Sequence, residues 1–300
     1  MRILVTNDDG VHAPGLAGMV RALARWAAEA GPGDERDVVV VAPLANYSGA
    51  SAAVGTVYER TSLSYRSVEI PGAEGVPVYG LDAPPALSVI VGCLGAFGPR
   101  PDVVVSGINL GVNVGRSVLH SGTVGAALTG AQLGLRGLAV SLRSGSPPEP
   151  WETASTVAVG LLPVVAAAPE GTVLNLNVPS VPLDELRGVR RARISTSGLI
   201  RSAGNARLAG GGPATGGDPE EGEVSLTLGV AVPSLGDVAG EDPDDDAALV
   251  FAGYATVTPL AGVRETTHAD ADELVRHALA RAGEVLGRVD DLEEVDGIGG

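Results

Sequence analysis

Three short runs of continuous apolar, mostly β-branched residues constrain this chain more than anything else in it. They are Met1–Thr6 (Arg2 aside), DVVVVA at 37–42 and DVVVS at 102–106. A strand that is apolar on both sides has to be covered on both faces, which is the situation of a parallel sheet with helices above and below it. Between the first two runs lies a helical pattern from Leu16 to about Ala30, with Leu16, Val20, Leu23, Ala24 and Ala27 on one face. Pro14 and Gly15 suit its first turn, and Gly31-Pro32-Gly33 ends it. The first forty residues therefore read strand–helix–strand, the unit of a Rossmann-like sheet. Further strands are expected at Leu138–Leu142, Thr172–Val178, Val224–Val232 and Tyr254–Pro259. Helices are expected at 86–97, from Ser121-Gly122-Thr123 to Leu133, at 151–168 and at 269–288, where Leu274, Ala278 and Ala282 share a face. Short strands with polar turns are expected within 56–80. Hydrophobic residues make up 45% of the chain but aromatics only 3%, so the core must be built from Val, Leu, Ile and Ala. The expected class is α/β: a three-layer α/β/α core on a mostly parallel sheet.

The first run ends abruptly in Asn7-Asp8-Asp9-Gly10. In such sheets ligands bind beyond the carboxyl ends of the strands. Two adjacent carboxylates there repel one another unless a cation compensates them, and carboxylate oxygens suit Mg²⁺, Mn²⁺ or Ca²⁺. In isolation the same four residues are also an ordinary turn. Parallel strands share a carboxyl end, so the loop after the second strand, with Asn46, Ser48, Gly49 and Ser51, comes to the same edge. So does the polar stretch after the third, with Asn109 and Asn113. His120 stands just before Ser121-Gly122-Thr123, which opens an alanine-rich helix; its free N–H groups and hydroxyls suit a phosphate.

Composition removes several classes. All 20 basic residues are Arg, which excludes a P-loop lysine and a Schiff-base lysine. The net charge of −16 argues against binding a nucleic-acid duplex through its backbone. Cys93 is the one cysteine, so no internal disulfide forms, and its apolar neighbours mark it as a structural thiol. No apolar segment reaches membrane-spanning length and no signal peptide is read, so a cytoplasmic protein is expected. The stretches 208–222 and 241–246 (EDPDDD) read as mobile, solvated loop, and 289–300 as frayed.

Taken in order, NDDGVHAPGL, VVVVAPLANYSGAS, PDVVVSGINLGVNVG, SGTVGAALTGAQLGLRGLAVSL, LNLNVPSVP and the later VFAGYATVTPL resemble the SurE family (survival protein E). The resemblance implies a metal-dependent nucleoside-monophosphate phosphatase with one divalent cation per subunit. It implies Asp8, Asp9, Ser48 and Asn109 as metal ligands, Asp8 and Asp9 as catalytic, and Asn46, Gly49, Asn113, Ser121, Gly122 and Thr123 on the phosphate side. Whether Asp8 is ligand only, general base or nucleophile is left open, with His120 the candidate proton donor and His12 a weaker one. It further implies a homodimer or homotetramer, with a catalytic core over 1–186 and a C-terminal extension, 187–300, whose hairpin and helix serve oligomerisation. The chain departs from the family where Gly80-Leu81-Asp82-Ala83-Pro84-Pro85 replaces the usual Gly-Thr-Pro and Cys, and in lacking the usual Asp-Pro-Arg-Gly and Tyr-Trp signature after 190. A changed pocket rim keeps two alternatives in play: a phosphorylated sugar or biosynthetic intermediate as substrate, and a non-catalytic nucleotide-binding protein.

Overall fold

The computed structural model describes residues 1–55, 62–145, 147–196, 205–208, 224–227, 242–263, 275, 276 and 278. By its contacts the chain divides into Met1–Gly262 and Val263–Gly300. The first unit is built on a nine-stranded sheet. Its strands are β1 (Arg2–Thr6), β2 (Asp37–Pro43), β3 (Tyr65–Ser67), β4 (Val78–Leu81), β5 (Val103–Leu110), β6 (Arg136–Leu142), β7 (Val173–Val178), β8 (Val189–Arg191) and β11 (Ala255–Leu260). The other two strands, β9 (Asn205–Leu208) and β10 (Val224–Thr227), pair antiparallel with each other. Across the main sheet the order is β3-β4-β2-β1-β5-β6-β7-β11-β8. The six strands from β4 to β7 run parallel, while β3 and β11 are antiparallel to their inner neighbours β4 and β7.

Alternation on the central strands explains why their sequences are apolar throughout. Ile3 and Val5 of β1, Val38 and Val40 of β2, and Val103 and Val105 of β5 face one way, towards α1 (Pro14–Ala28) and α4 (Trp151–Ala167). Leu4, Val39, Val41 and Val104 face the other way, with Leu87 and Val89 of α2 (Pro85–Cys93) and Ala126 of α3 (Gly122–Gln132). Two buried faces per strand make the three layers that the sequence implies. Pro14 stands in the first turn of α1, where its missing N–H costs nothing.

From β1 the chain goes to β2 and β4 on one side, then returns to β5 on the other. The crevice between the carboxyl ends of β1 and β5 is therefore the topological switch point of the sheet, the place where open α/β sheets put their ligands.

Several expectations shift in extent. The strand expected over 102–106 runs on to Leu110, through a register irregularity between Ser106 and Asn109. Gly107 makes this continuation possible: its φ is +130°, and a Cβ there would stand 2.2 Å from the Val140 carbonyl oxygen. The helix expected over 86–97 stops at Cys93, because Gly95 adopts a left-handed φ of +89°. Within 56–80 the structure has β3 and the start of β4, and 56–61 lie outside the described residues. Val224–Val232 is a strand as far as Thr227, and 228–232 lie outside the described residues, as do 209–222 and 289–300. Of the helix expected over 269–288, residues 275, 276 and 278 are described and are helical.

The acidic run is the clear correction. Glu241 lies outside the described residues, but the rest is not a solvated loop. Asp242 and Asp244 form ion pairs with Arg193 and Arg190. Asp245 caps a short helix, α5 (Asp246–Phe251), by accepting the Ala248 N–H at 2.6 Å, and Asp246 is fully buried.

Gly107→Ala is expected to destabilise the fold by roughly 3 kcal/mol, combining a glycine-only backbone conformation with a clash against β6. A denaturant titration that leaves the midpoint where it was would refute this close approach.

Candidate active site

The end of β1 turns sharply. Asn7, fully buried, donates from Nδ2 to the Gly10 carbonyl at 2.9 Å and so closes the turn that carries both acids. Asp8 is itself only 3% exposed. Its Oδ1 accepts the Thr123 hydroxyl at 2.5 Å, and the backbone N–H groups of Gly122 and Thr123 also support its charge. Burial outweighs that support and raises the Asp8 carboxyl above its ordinary value. Asp9 is pushed up to about 6, first by burial and then by the charge of Asp8; the Leu110 N–H, 3.3 Å from Oδ2, and the Ser48 hydroxyl pull the other way. Among the described residues neither acid is in an ion pair with Arg or His.

The first turn of α3 is shaped for this contact. Ser121 caps it, its Oγ accepting the Val124 N–H at 3.1 Å. The next residue has no side chain, and a Cβ on Gly122 would lie 2.7 Å from the Asp8 Cβ and 2.8 Å from its Oδ2. The positive end of the helix thus meets the buried carboxylate. The N–H groups that the sequence offers to a phosphate here hold Asp8.

The loop after β2 reaches the same corner. Its Tyr47 N–H donates to the Asp8 carbonyl at 2.7 Å, and the Asn46 Oδ1 accepts the Ser48 N–H at 2.7 Å. Ser48, Asn46 and Gly49 are exposed on it. Gly125 lets it pack on α3, since a Cβ there would stand 2.5 Å from the Ser51 carbonyl carbon. On the other side of the crevice, Asn109 Nδ2 donates to the Gly111 carbonyl at 2.7 Å, so its Oδ1 is the end left to serve a cation. The structure therefore brings Asp8, Asp9, Ser48 and Thr123 together, with Asn109 beside Leu110 on the strand that donates to Asp9.

Asn113 is held from behind. Its Nδ2 donates to Ser141 Oγ at 2.8 Å, its N–H donates to Asn177 Oδ1 at 2.7 Å, and its carbonyl accepts Asn175 Nδ2 and Asn177 Nδ2. Sequence reasoning did not single out Ser141, Asn175 or Asn177. The signal was available in the strand Leu-Asn-Leu-Asn, where polar residues alternate inside a segment otherwise fit for the core. His120 closes a 3₁₀ helix, Gly115–His120, and is exposed; His12 is exposed too, in the turn after Gly10. The Cys93 thiol is half-buried and pushed up by burial, as befits a structural group.

The donor set suits a hard divalent cation: two carboxylates whose charge is unbalanced, a hydroxyl and an amide oxygen, with no nitrogen or sulfur among them. Among the described residues no three His, Cys, Asp or Glu side chains gather at one point, so this acid pair with its neutral oxygens is the candidate centre.

The family model for survival protein SurE matches residues 3–200. The chain is 38% identical over 285 residues to the 5'/3'-nucleotidase SurE of Cronobacter sakazakii, spanning 94% of this chain and 98% of that protein. It is 36% identical over the same shares to the 5'/3'-nucleotidase SurE of Klebsiella pneumoniae. Among solved structures, the SurE protein from Aquifex aeolicus superposes with a TM-score of 0.66 at 25% identity, covering 93% of this chain and 100% of that one.

Charge repulsion at the acid pair has a measurable consequence in chelator. A carboxyl whose folded value is raised stabilises the fold at low pH and loses that contribution as pH rises through the folded value, for Asp9 between about 4 and 6. Asp9→Asn is therefore expected to melt higher than the parent at pH 7.5 in EDTA, with the gap narrowed to roughly a third at pH 4.5. The shift bounds the gain at ~3 kcal/mol, reduced by solvent screening. A variant that melts lower than the parent at pH 7.5 would show that the pair is not in conflict.

Proposed function

The chain belongs to the SurE family, and from that premise we propose that it is a metal-dependent phosphomonoesterase that hydrolyses nucleoside monophosphates to nucleoside and phosphate. One observation carries the reading: adjacent, buried, uncompensated acids at the switch point of the sheet, with Ser48 and Asn109 delivered to them from two other strands. Asp8, Asp9, Ser48 and Asn109 would hold Mg²⁺ or Mn²⁺. Bound there, such an ion neutralises phosphate charge and lowers the pKa of water for in-line attack at phosphorus.

The chain's own groups supply the rest. The Thr123 hydroxyl and the N–H groups of Gly122 and Thr123 hold the Asp8 carboxylate in place at the end of β1. The Leu110 N–H orients Asp9 in the same way. Asn46 and Gly49, exposed on the loop after β2, meet the phosphate from the open side, with Asn113 and Ser121 behind it, while Gly122 and Thr123 serve the site through Asp8, which they hold. His120 is free of the packed interior and delivers a proton to the leaving alkoxide. Asp8 acts as ligand in this scheme, since one of its oxygens is already committed to Thr123. We also take the enzyme to work in the cytoplasm as a homodimer or homotetramer, with catalysis in 1–186 and assembly through 187–300. The apolar spacing of Leu274, Ala278 and Ala282 supports the second role. No helix among the described residues is long and apolar enough to cross a membrane.

The test is phosphate release from nucleoside 5'- and 3'-monophosphates, sugar phosphates and polyphosphate, with Mg²⁺, with Mn²⁺ and in chelator. Metal-dependent turnover of nucleoside monophosphates is expected, and Asp9→Asn should lower it on the order of 100-fold or more while the circular dichroism stays unchanged. Turnover of sugar phosphates alone would move the substrate class, and no release from any of them would leave a binding protein in place of an enzyme.

A further inference from the structure

Among the described residues Asp246 is the most deeply buried acid outside the crevice, and the activity described above makes no use of it. It opens α5, and its two oxygens accept the Gly115 N–H together, at 3.1 and 3.0 Å; Oδ1 also accepts the Ser195 N–H at 3.0 Å. The segment that carries it is stapled down on every side. Its own N–H donates to the Arg193 carbonyl at 2.8 Å. The ion pairs Arg193–Asp242 and Arg190–Asp244 hold the residues just before it. Ala247 and Val250 pack against Val114, the neighbour of Gly115.

What Asp246 grips is the beginning of a strut. Gly115 starts the 3₁₀ helix that ends at His120, and Ser121, which caps α3, follows directly with Gly122 and Thr123, which hold Asp8. At its far end the strut carries the loop of Ser48: Ser51 donates its N–H to the His120 carbonyl at 3.2 Å and its hydroxyl to the Leu119 carbonyl at 2.7 Å. One continuous path thus runs from the Asp246 carboxylate through Gly115–His120 to the walls of the crevice.

We propose that Asp246 is a positioning residue for the phosphatase reaction: its buried carboxylate fixes the 3₁₀ segment Gly115–His120, and through it the substrate side of the crevice. The proposal rests on the phosphatase reading. A carboxylate at this depth is costly, and burial pushes it up to about 6, with the Ser195 and Gly115 N–H groups drawing it back and Asp245 adding to the rise. At neutral pH it is the anion, whose charge strengthens both bonds; an amide in its place would keep one oxygen as acceptor but lose the charge and turn an NH₂ towards the Gly115 N–H.

The test compares the parent with Asp246→Asn, and with Gly115→Ala, which keeps the acid but strains the φ of +57° at which the glycine presents its N–H. KM for a nucleoside monophosphate is expected to rise ten- to a hundredfold in each, with kcat within a few-fold and the Mn²⁺ titration of stability unchanged. A purely structural role would lower the folded fraction, and with it the apparent kcat, at constant KM; that result overturns the proposal. Should Asp246→Asn fail to fold, Gly115→Ala decides by the same split. If the parent releases no phosphate from any substrate, the functional reading fails. The clamp is then judged by hydrogen-exchange mass spectrometry: faster exchange in Asp246→Asn concentrated in peptides covering 111–121 supports it, and unchanged exchange there overturns it.

Discussion

Two negative charges side by side, below the surface, at the end of the central strand are the constraint from which the rest of this molecule's site follows. Asp8 and Asp9 are adjacent in sequence, so no fold can separate them, and β1 delivers them to the middle of the sheet edge. The surroundings reduce the cost without removing it. Asp8 takes a hydroxyl and the N–H groups of a helix N-terminus; Asp9 takes the Leu110 N–H and the Ser48 hydroxyl. Among the described residues neither takes a guanidinium. Donors that hold a carboxylate in place while leaving its charge uncancelled are what a cation site needs.

The topology decides which other residues can share that charge. Because β2 and β5 flank β1, the loop after β2 and the end of β5 itself come to the edge where β1 turns, and they carry Ser48 and Asn109. This part was legible in the sequence. Runs such as Val38–Val41 and Val103–Val105 fix parallel strands, parallel strands share an edge, and polar residues after each strand must meet there. The extents were less legible. That β5 continues past Ser106 depends on Gly107 lying against the Val140 carbonyl, a contact with a strand more than thirty residues on, invisible to any local pattern. The Ser-Gly-Thr cap was legible as a cap, but its occupant was not: Thr123 and Asp8 lie 115 residues apart.

The acidic run at 242–246 shows the limit most plainly. By composition EDPDDD is a solvated stretch, and two of its acids bear that out in part: Asp242 and Asp244 are exposed, in ion pairs worth little individually. Asp246 differs only in what surrounds it. Its donors are 131 and 51 residues away in sequence, so nothing within the run distinguishes a buried anchor from its exposed neighbours. Periodicity finds apolar residues that must go inside; it has no means of finding the one polar residue that a distant pair of N–H groups draws in with it.

Asn113 carries the same point into energetics. Its backbone and side chain engage Ser141 of β6 and Asn175 and Asn177 of β7, all buried, and the register partners of the two asparagines on β11, Thr258 and Thr256, are polar too. Aliphatic side chains at 175 and 177 would bury more apolar surface, but the Asn113 N–H and carbonyl would then lose their partners under the loop. Directional hydrogen bonds of this kind specify one position for the loop, whereas an apolar surface would let it slide. The loop after β5 is thus held at two depths, by the asparagines beneath Asn113 and by Asp246 at Gly115, before it reaches the helix that grips Asp8. The sheet places the acids, and this polar underside fixes the segment that leads into the helix holding one of them.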